Sequence, residues 1–402
     1  MGIIIDFEEL NCYQRRKGIK LFIERLNKLN VWLEKNGWAG YDPYDIKGMK
    51  IFIYLQRNKY TNFGSSFLLN RHPMFFRRLF RVKKQVNAKA MALFARAYLN
   101  IYKKTQDENY LKKALVCLNW LIENPSKGYS GYCWGYPFDW QSRMFIPKET
   151  PSGVVTSIAA HAFLDAYEVS KDRLYLSIAK GCCKFILKEL NIDEVGNDKI
   201  CFSYTPIDNF HIHNANLFSA SVLLRSYVHF KEDKNREMGV KAVNYTVSHQ
   251  NEDGSWYYWA SPDKLLYNTD NYHTGFVLEC LNVCRRVLRA EFKYISELRK
   301  GLEFYADKLF LDEGTPKTYH NRIYPIDIHG CAQGIITFCE LADFEPKYLD
   351  MAGKVARWTI SNMQDKEGYF YYKIYKNGKT DKTPYIRWGQ AWMLRALSYL
   401  VY

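Results

Sequence analysis

The chain has 402 residues, of which 48% are hydrophobic and 16% aromatic, and it carries a formal net charge of +15. Such a composition can bury a large core, which excludes a disordered chain. The longest apolar runs fall well short of the roughly 18 residues that span a membrane. The first ten residues also lack the basic and apolar pattern of a signal peptide. We therefore expect a cytoplasmic protein.

The ten cysteines include no CxxC pair, and most of them lie within apolar helical patterns. A free cysteine in such a pattern behaves as a small buried hydrophobe. The cysteines therefore predict reduced thiols in a reducing compartment and no zinc site. We also expect no cofactor.

The excess of positive charge lies between residues 46 and 106, where 14 Lys and Arg residues occur without a single Asp or Glu. Its densest part, 71–84, mixes basic and aromatic residues. This pattern fits a polyanion such as an acidic glycan, or peripheral association with an anionic membrane surface. It equally fits a solvated basic face without a ligand. No nucleic-acid-binding motif accompanies it, so nucleic acid is disfavoured as a partner.

Apolar residues at spacings of three and four predict helices along nearly the whole chain. The first helix is amphipathic and covers about 13–35, and the segment 38–84 after it is predicted to be the least helical part. From there, two kinds of helix alternate. Helices of the first kind, rich in small residues, begin every 57 to 66 residues, near Val86, Ser152, Asn214, Asn271, Ile328 and Trp388. Helices of the second kind, charged along one face, cover 108–123, 172–190, 234–249, 292–309 and 346–363.

A recurrence of this length indicates a repeated pair of helices. The small residues let helices of the first kind pack closely inside, whereas the amphipathic helices belong outside. Six of each predict an all-α (α/α)6 toroid, a single domain over 1–402 whose first helix closes the ring against the last. The long aromatic loops that lead from outer to inner helices would gather on one face and form a bowl. The segment 38–84 is predicted to be a basic insertion or lid across that bowl.

Histidines and acids cluster where these loops enter the inner helices. A helix N-terminus disfavours the imidazolium ion, so a histidine there tends to be neutral and can act as a general base. Carboxylates at the same places can serve as acids or only as N-caps. The candidate catalytic residues are His213, His273, His329, Asp139, Asp270 and Asp327.

Aromatic and amide side chains fall in the same loops. Aromatic faces stack on pyranose rings, while amides and guanidinium groups bond sugar hydroxyls; packing within the loops is the competing interpretation. The candidate substrate-binding residues are Trp134, Trp140, Tyr204, His211, Asn214, Asn216, Trp256, Tyr319, Arg387, Trp388 and Gln390.

Three phrases at the helix entrances carry a family resemblance: Pro137-Phe-Asp-Trp-Gln-Ser142, Asp270-Asn-Tyr-His-Thr-Gly-Phe276, and Tyr324-Pro-Ile-Asp-Ile-His329 followed by Ala332-Gln333. From about residue 84 the chain resembles bacterial and archaeal toroid proteins described as polysaccharide-biosynthesis proteins. It is more distantly similar to N-acylglucosamine 2-epimerases, unsaturated-uronyl hydrolases and toroid polysaccharide lyases. The resemblance implies the fold and a carbohydrate substrate, and it transfers no catalytic residue.

The main functional hypothesis is an enzyme that acts on a uronate-containing polysaccharide or oligosaccharide by acid–base chemistry. Because histidines outnumber paired acids at the entrances, a lyase or epimerase is slightly favoured over a glycoside hydrolase. A hydrolase needs two facing carboxylates, roughly 5 Å apart for retention or 6.5–9.5 Å apart for inversion. The alternative is a non-catalytic glycan-binding component of a polysaccharide assembly system. A terpene-cyclase activity ranks low because the acidic DxDD motif is absent.

Overall fold

The computed structural model describes residues 7–260 and 268–401, with side chains from residue 18 onward. Residues 261–267, in the long loop predicted between the outer helix 234–249 and the inner helix near Asn271, therefore lie outside the described residues, as does the side chain of Cys12.

The described chain consists mainly of α-helices. In chain order they are α1 (Phe7–Asn36), α2 (Lys50–Gln56), α3 (Lys59–Arg71), α4 (Pro73–Leu79), α5 (Ala88–Thr105), α6 (Glu108–Glu123), α7 (Gly153–Ser170), α8 (Arg173–Glu189), α9 (His213–Phe230), α10 (Asp233–Val247), α11 (Asn271–Leu288), α12 (Ile295–Leu309), α13 (Ile328–Glu340), α14 (Lys347–Met363) and α15 (Ala391–Leu400). A 3₁₀ turn (Arg289–Glu291) follows α11, and a π-helical turn (Ile386–Gln390) leads directly into α15.

Short strands occur only in the loops of the described chain. They are β1 (Trp140–Gln141), β2 (Phe145–Ile146), β3 (Ile192–Glu194), β4 (Ile200–Phe202), β5 (Ile326–Asp327), β6 (Lys373–Ile374) and β7 (Thr380–Asp381). β1 pairs with β2, β3 with β4, and β6 with both β5 and β7, all antiparallel.

Six inner helices form a closed ring. Helices α5, α7, α9, α11, α13 and α15 each contact the next, and α15 contacts α5 again. Helices α6, α8, α10, α12 and α14 pack outside them, and α1 completes the outer layer against α14 and α15. The predicted all-α (α/α)6 toroid is confirmed. Five inner helices begin within two residues of the predicted positions, and α15 begins three residues after Trp388, where a π-helical turn precedes it.

Turns that contain glycine pack neighbouring outer helices against one another. The turns at Gly254 and Gly368 have φ values of 90° and 104°, a conformation that favours glycine. A Cβ atom on Gly254 would lie 2.5 Å from the carbonyl oxygen of Lys300 in α12, and Gly368 meets the backbone of α1 in the same way. Gly314 makes a third such turn against α14. Each turn thus docks the end of one outer helix onto the next outer helix.

The segment 38–84, predicted to be the least helical part, contains the three short helices α2, α3 and α4, whereas the loop between α6 and α7 contains no helix. Ile46, Phe52 and Leu69 form a small core of its own. Arg77, in the part predicted to be the basic surface, is instead buried and pairs with Asp45. Residues of an amphipathic helix are divided between core and surface by its 3.6-residue period, which a count of charges does not capture.

The described residues contain neither a helix that could span a membrane nor a cluster that could hold a metal. In residues 7–260 and 268–401, no helix combines the length and apolar character needed to cross a bilayer. In the same residues, no three His, Cys, Asp or Glu side chains gather in a way that would hold a metal ion. Nine cysteines lie among the described side chains, all as free thiols and eight of them buried.

Candidate active site

A cavity of about 270 Å³ opens at the centre of the ring. It is lined from the N-terminal ends of five inner helices and from the π-helical turn that leads into α15, because the six inner helices begin on the same face. These floor residues are Lys89, Val154, Asn214, His273, His329 and Trp388.

Aromatic rings make up most of the cavity wall. Their flat apolar faces suit pyranose rings, and their packing at centroid distances near 6 Å is typical of aromatic clusters. Trp140, for example, lies 5.6 Å from Tyr204 and 6.1 Å from Tyr136. The ten rings are Tyr44, Tyr136, Phe138, Trp140, Tyr204, Tyr258, Trp259, Tyr272, Phe276 and Trp388.

His329 is the most buried titratable group of the floor. Its ring stacks on Tyr272 at 4.7 Å and meets the edge of Trp388 at 4.7 Å. Neither ring nitrogen has a hydrogen-bond partner among the described residues. Burial, and then the nearby charge of Lys89, hold the pKa of His329 well below its ordinary value. His329 is therefore a neutral imidazole that can accept a proton or a hydrogen bond from a ligand.

His273 lies beside it and is oriented by a carboxylate. One oxygen of Asp270 accepts a hydrogen bond from the backbone N–H of His273 at 3.0 Å, and the other contacts Nδ1 at 2.8 Å. Asp270 is therefore both the N-cap of α11 and the group that fixes the imidazole. The His273 ring also packs on Tyr258 and Tyr272 at 4.2 and 4.3 Å. Nδ1 is occupied, so Nε2 is the nitrogen left for a ligand.

Lys89 supplies an unexpected cation-forming group to the floor. Its Nζ lies 5.4 Å from the ring centre of Trp392 and 5.7 Å from that of Phe276, within the range of cation–π contacts. No described carboxylate forms an ion pair with it. Burial, and then the charge of Arg387, hold the pKa of Lys89 well below its usual range. Lys89 was not among the predicted site residues, although a lone lysine in the alanine-rich first turn of an inner helix is a sequence signal.

Arg387 reaches the cavity from the π-helical turn. Its guanidinium makes two hydrogen bonds to Asp42, of 2.6 and 2.8 Å, and both side chains are buried. The same guanidinium lies 4.7 Å from the ring centre of Tyr136. The pair therefore fixes the start of the segment 38–84 at the cavity, where Tyr44 joins the aromatic wall.

Asp327 lies in an adjoining cavity of about 250 Å³, and its oxygens are already engaged. Oδ1 accepts hydrogen bonds from the backbone N–H of His329 and from Nε1 of Trp388, at 2.9 and 2.8 Å. Oδ2 pairs with Lys373 at 3.2 Å. Tyr319 and Asp270 line this second cavity as well. Asp327 therefore positions the floor rather than facing it as an unpaired acid.

Four predicted binding residues hold the core or the loops in place instead of lining the central cavity. The indole N–H groups of Trp134 and Trp256 bond backbone carbonyls of the preceding outer helices, each at 3.0 Å, so both rings are core. Asn216 and Gln390 use their amides to hold the loop backbone at Phe202 and Phe370. A buried polar side chain is normally hydrogen-bonded, and here the partner is the loop. The prediction assigned these four residues to the substrate because aromatic and amide side chains near the helix entrances suit sugar binding.

Three further predicted residues lie beside the cavity rather than in it. His211 contacts Asp193 at 2.8 Å, and Asp139 accepts a hydrogen bond from the backbone of Lys148. His213 packs on His249 at a ring distance of 5.3 Å, and burial lowers its pKa to about 3. The remaining predicted residues that line the central cavity are Trp140, Tyr204, Asn214, His273, His329, Arg387 and Trp388.

Comparison with known proteins supports the fold and goes no further. No family model and no curated protein matches the sequence. Solved structures do match. A cellobiose 2-epimerase from Bacillus thermoamylovorans B4167 has a TM-score of 0.63 and 12% identity, over 80% of this chain and 90% of that one. A D-mannose isomerase gives 0.59 and 11%, over 78% and 86%. An unsaturated glucuronyl hydrolase specific for heparin gives 0.57 and 13%, over 79% and 87%. At such identities the likeness establishes a shared toroid architecture.

Proposed function

We propose that the central cavity binds an acidic carbohydrate and removes the proton on the carbon next to its carboxylate, as a uronate epimerase or lyase does. The observation that carries this proposal is the pairing of two groups on one buried floor. His329 offers an unbonded neutral imidazole, and Lys89 offers an amine without a counter-charge. Both pack on the same rings, Phe276 and Trp392.

The residues of this site can accept and donate every proton that the reaction moves. The C–H bond breaks, His329 takes the proton, and the electron pair moves into the carboxylate, whose added charge faces Lys89. In an epimerase, His273 in its protonated form returns a proton to the opposite face of the carbon. In a lyase, the electron pair instead expels the β-oxygen, and His273 protonates that leaving oxygen. A bound carboxylate also raises the pKa of both His329 and Lys89, because an opposite charge favours the protonated forms.

The distribution of acids favours proton abstraction over glycoside hydrolysis. Hydrolysis needs two facing carboxyl groups with free oxygens. Asp270 is bonded to His273, and Asp327 is bonded to Lys373 and Trp388, so both are already used. Asp139 lies outside the cavity. The groups of the floor without a partner among the described residues are His329, which can act as a base, and Lys89, whose protonated amine favours an anion. Lys89 therefore supports an acidic substrate.

Proteins of this architecture include a sugar epimerase and an enzyme named for a glucuronyl substrate. The solved structures include a cellobiose 2-epimerase and an unsaturated glucuronyl hydrolase specific for heparin. We retain within the proposal the polysaccharide-biosynthesis setting that the sequence resemblance implies.

The test is solvent-deuterium exchange. The protein is incubated in D₂O with a panel of uronate oligosaccharides, and nuclear magnetic resonance follows deuterium at the carbon next to the carboxylate. We expect incorporation, or an unsaturated uronate product, that His329→Asn abolishes while binding persists. New reducing ends without deuterium or unsaturation would identify a hydrolase instead. Binding without any chemical change at any pH would identify a glycan-binding module.

The acidic part of the proposal has its own test at Lys89. Lys89→Met should weaken binding of a uronate oligosaccharide by at least about 30-fold, because a bound anion would lose its buried counter-charge. Binding of the carboxyl-reduced oligosaccharide should change little. The matched control is Lys103→Met at the far end of α5, which removes an exposed lysine of the same helix. Equal losses for the acidic and reduced ligands would contradict anion recognition by Lys89.

A further inference from the structure

Helices α2, α3 and α4 present an apolar surface that no described part of the chain covers. Tyr60 and Phe63 are 85% and 76% exposed, and Phe75 on α4 is 60% exposed. Of the six exposed large aromatic side chains in the described chain, five belong to these helices. The exposed apolar residues of this surface, which we name the α2–α4 surface, are Ile51, Tyr54, Tyr60, Phe63, Phe67, Leu68, Phe75 and Leu79.

The exposure follows the helical period. Tyr60, Phe63 and Phe67 are three and four residues apart, so they form one stripe along α3. The opposite side of α3 is already satisfied, because Leu69 is buried in the small core with Ile46. Helix α3 therefore has two apolar faces: one packs on the small core, and the aromatic stripe forms the other, which is exposed.

The segment that carries this stripe has many exposed cations and no acid. The exposed basic side chains are Lys50, Arg57, Lys59, Arg71, Arg78, Arg81, Lys83 and Lys84, and no Asp or Glu occurs between residues 46 and 106. Lys59 and Arg71 lie at the two ends of α3 itself, on either side of the aromatic stripe.

We propose that the α2–α4 surface docks this protein onto an anionic membrane, with α3 lying in the plane of the interface. Aromatic and leucine side chains would enter the boundary between headgroups and acyl chains, while Lys and Arg would bind anionic headgroups. The snorkelling reach of long basic side chains allows both contacts at once. This proposal is independent of the chemistry proposed for the central cavity.

The charge pattern argues against a second copy of the chain as the occupant. A symmetric dimer places the same surface patch on both sides of its interface. It would therefore bring Lys59, Arg71 and Arg78 against an identical set of cations, with no carboxylate on the patch to offset them. A bilayer containing acidic lipids supplies the opposite charge and an apolar phase together.

The experiment is flotation of the full chain with lipid vesicles at low ionic strength. We expect binding to phosphatidylcholine vesicles that contain about 30% phosphatidylserine, and little binding to phosphatidylcholine alone. Raising the salt from about 0.1 to about 0.5 M should release most of the protein, because the screening length shortens about twofold. Equal binding to neutral and acidic vesicles would contradict the electrostatic part of the proposal.

Two sets of variants separate the apolar contribution to vesicle binding from the electrostatic one. The pair Phe63→Ser and Phe67→Ser should weaken vesicle binding by at least about 10-fold. Each of Lys59→Gln and Arg71→Gln should weaken it about 5-fold. The control is Leu174→Ser on outer helix α8, where the leucine is 49% exposed but lies outside the α2–α4 surface. These positions are exposed, so the variants should keep the thermal midpoint of the parent.

Two outcomes would overturn the proposal. One is retention of heparin or single-stranded DNA without binding of acidic vesicles, which would mark a soluble polyanion as the ligand. The other is a concentration-dependent dimer in sedimentation velocity that the paired Phe63→Ser and Phe67→Ser change abolishes.

Discussion

The buried ion pair between Asp42 and Arg387 gives the sharpest stability prediction. The side chains are only 6% and 3% exposed, and they share two hydrogen bonds of 2.6 and 2.8 Å. The Asp42→Asn change keeps the shape and an oxygen that can accept from the backbone N–H of Tyr44. It removes the negative charge, however, and leaves the guanidinium buried without its counter-ion. Breaking a buried pair in this way costs about 3–5 kcal/mol.

That free energy can be converted into a shift of the thermal midpoint. An unfolding entropy of about 2.1 cal/mol/K per residue gives roughly 0.8 kcal/mol/K for a chain of this length, so the midpoint should fall by about 4–6 °C. Calorimetry of the parent and of Asp42→Asn measures it directly. The control is Glu24→Gln, which breaks an exposed pair with Lys28 and should leave the midpoint unchanged.

A double variant tests the cause. Arg387→Met together with Asp42→Asn removes both charges, so it should be less destabilised than the sum of the two single variants. A midpoint shift below about 1 °C for Asp42→Asn, or strict additivity in the double variant, would refute the claim that this pair is a buried, mutually compensating unit.

Three further predictions concern the inner ring. Burial lowers the pKa of His213 to about 3 and that of His329 well below its usual range, so below about pH 6.5 the unfolded chain binds more protons than the folded chain. The free energy of unfolding should therefore decrease as the pH falls, by roughly 1.4 kcal/mol per unit for each histidine. Urea titrations from pH 7 to 5 should show a shallower decrease for His213→Asn, and an identical slope would contradict the assignment. Gly275→Ala should cost about 1–3 kcal/mol, because the new Cβ would lie 2.5 Å from a side-chain carbon of α13; an unchanged midpoint in a thermal melt would show that the ring can relax there. Asp270→Asn keeps a good N-cap but loses the ionic partner of His273, so turnover in the deuterium assay should fall by about 10²–10⁴-fold with little change in midpoint; undiminished exchange would remove His273 from the mechanism.

Much of the architecture follows from local patterns that the sequence contains. Small residues repeated along one set of helices and charged faces along the other decide which helix can lie inside, because only small side chains permit close packing on all sides. The caps Asp270 and Asp327 follow from local backbone chemistry, since an acidic side chain before a helix bonds its first N–H groups. Such interactions span only a few residues, so they were predictable and agree with the structure.

The orientation of side chains within the loops was decided by tertiary structure. Trp134 and Trp140 lie six residues apart in one loop, yet the first is core and the second faces the cavity. The difference depends on which carbonyl each indole can reach once the neighbouring helices are in place. Lys89 was not predicted, yet it lines the cavity. Its lack of a counter-charge can be recognised only when all surrounding groups are known.

Sequence by itself thus determined the ring of alternating helices and the face on which its loops gather, because helical period and residue size act over a few turns. Only the folded chain decided which entrance residues became a site. His329, Lys89 and Arg387 lie far apart in sequence, and their burial beside one another depends on closure of the ring by α15 against α5.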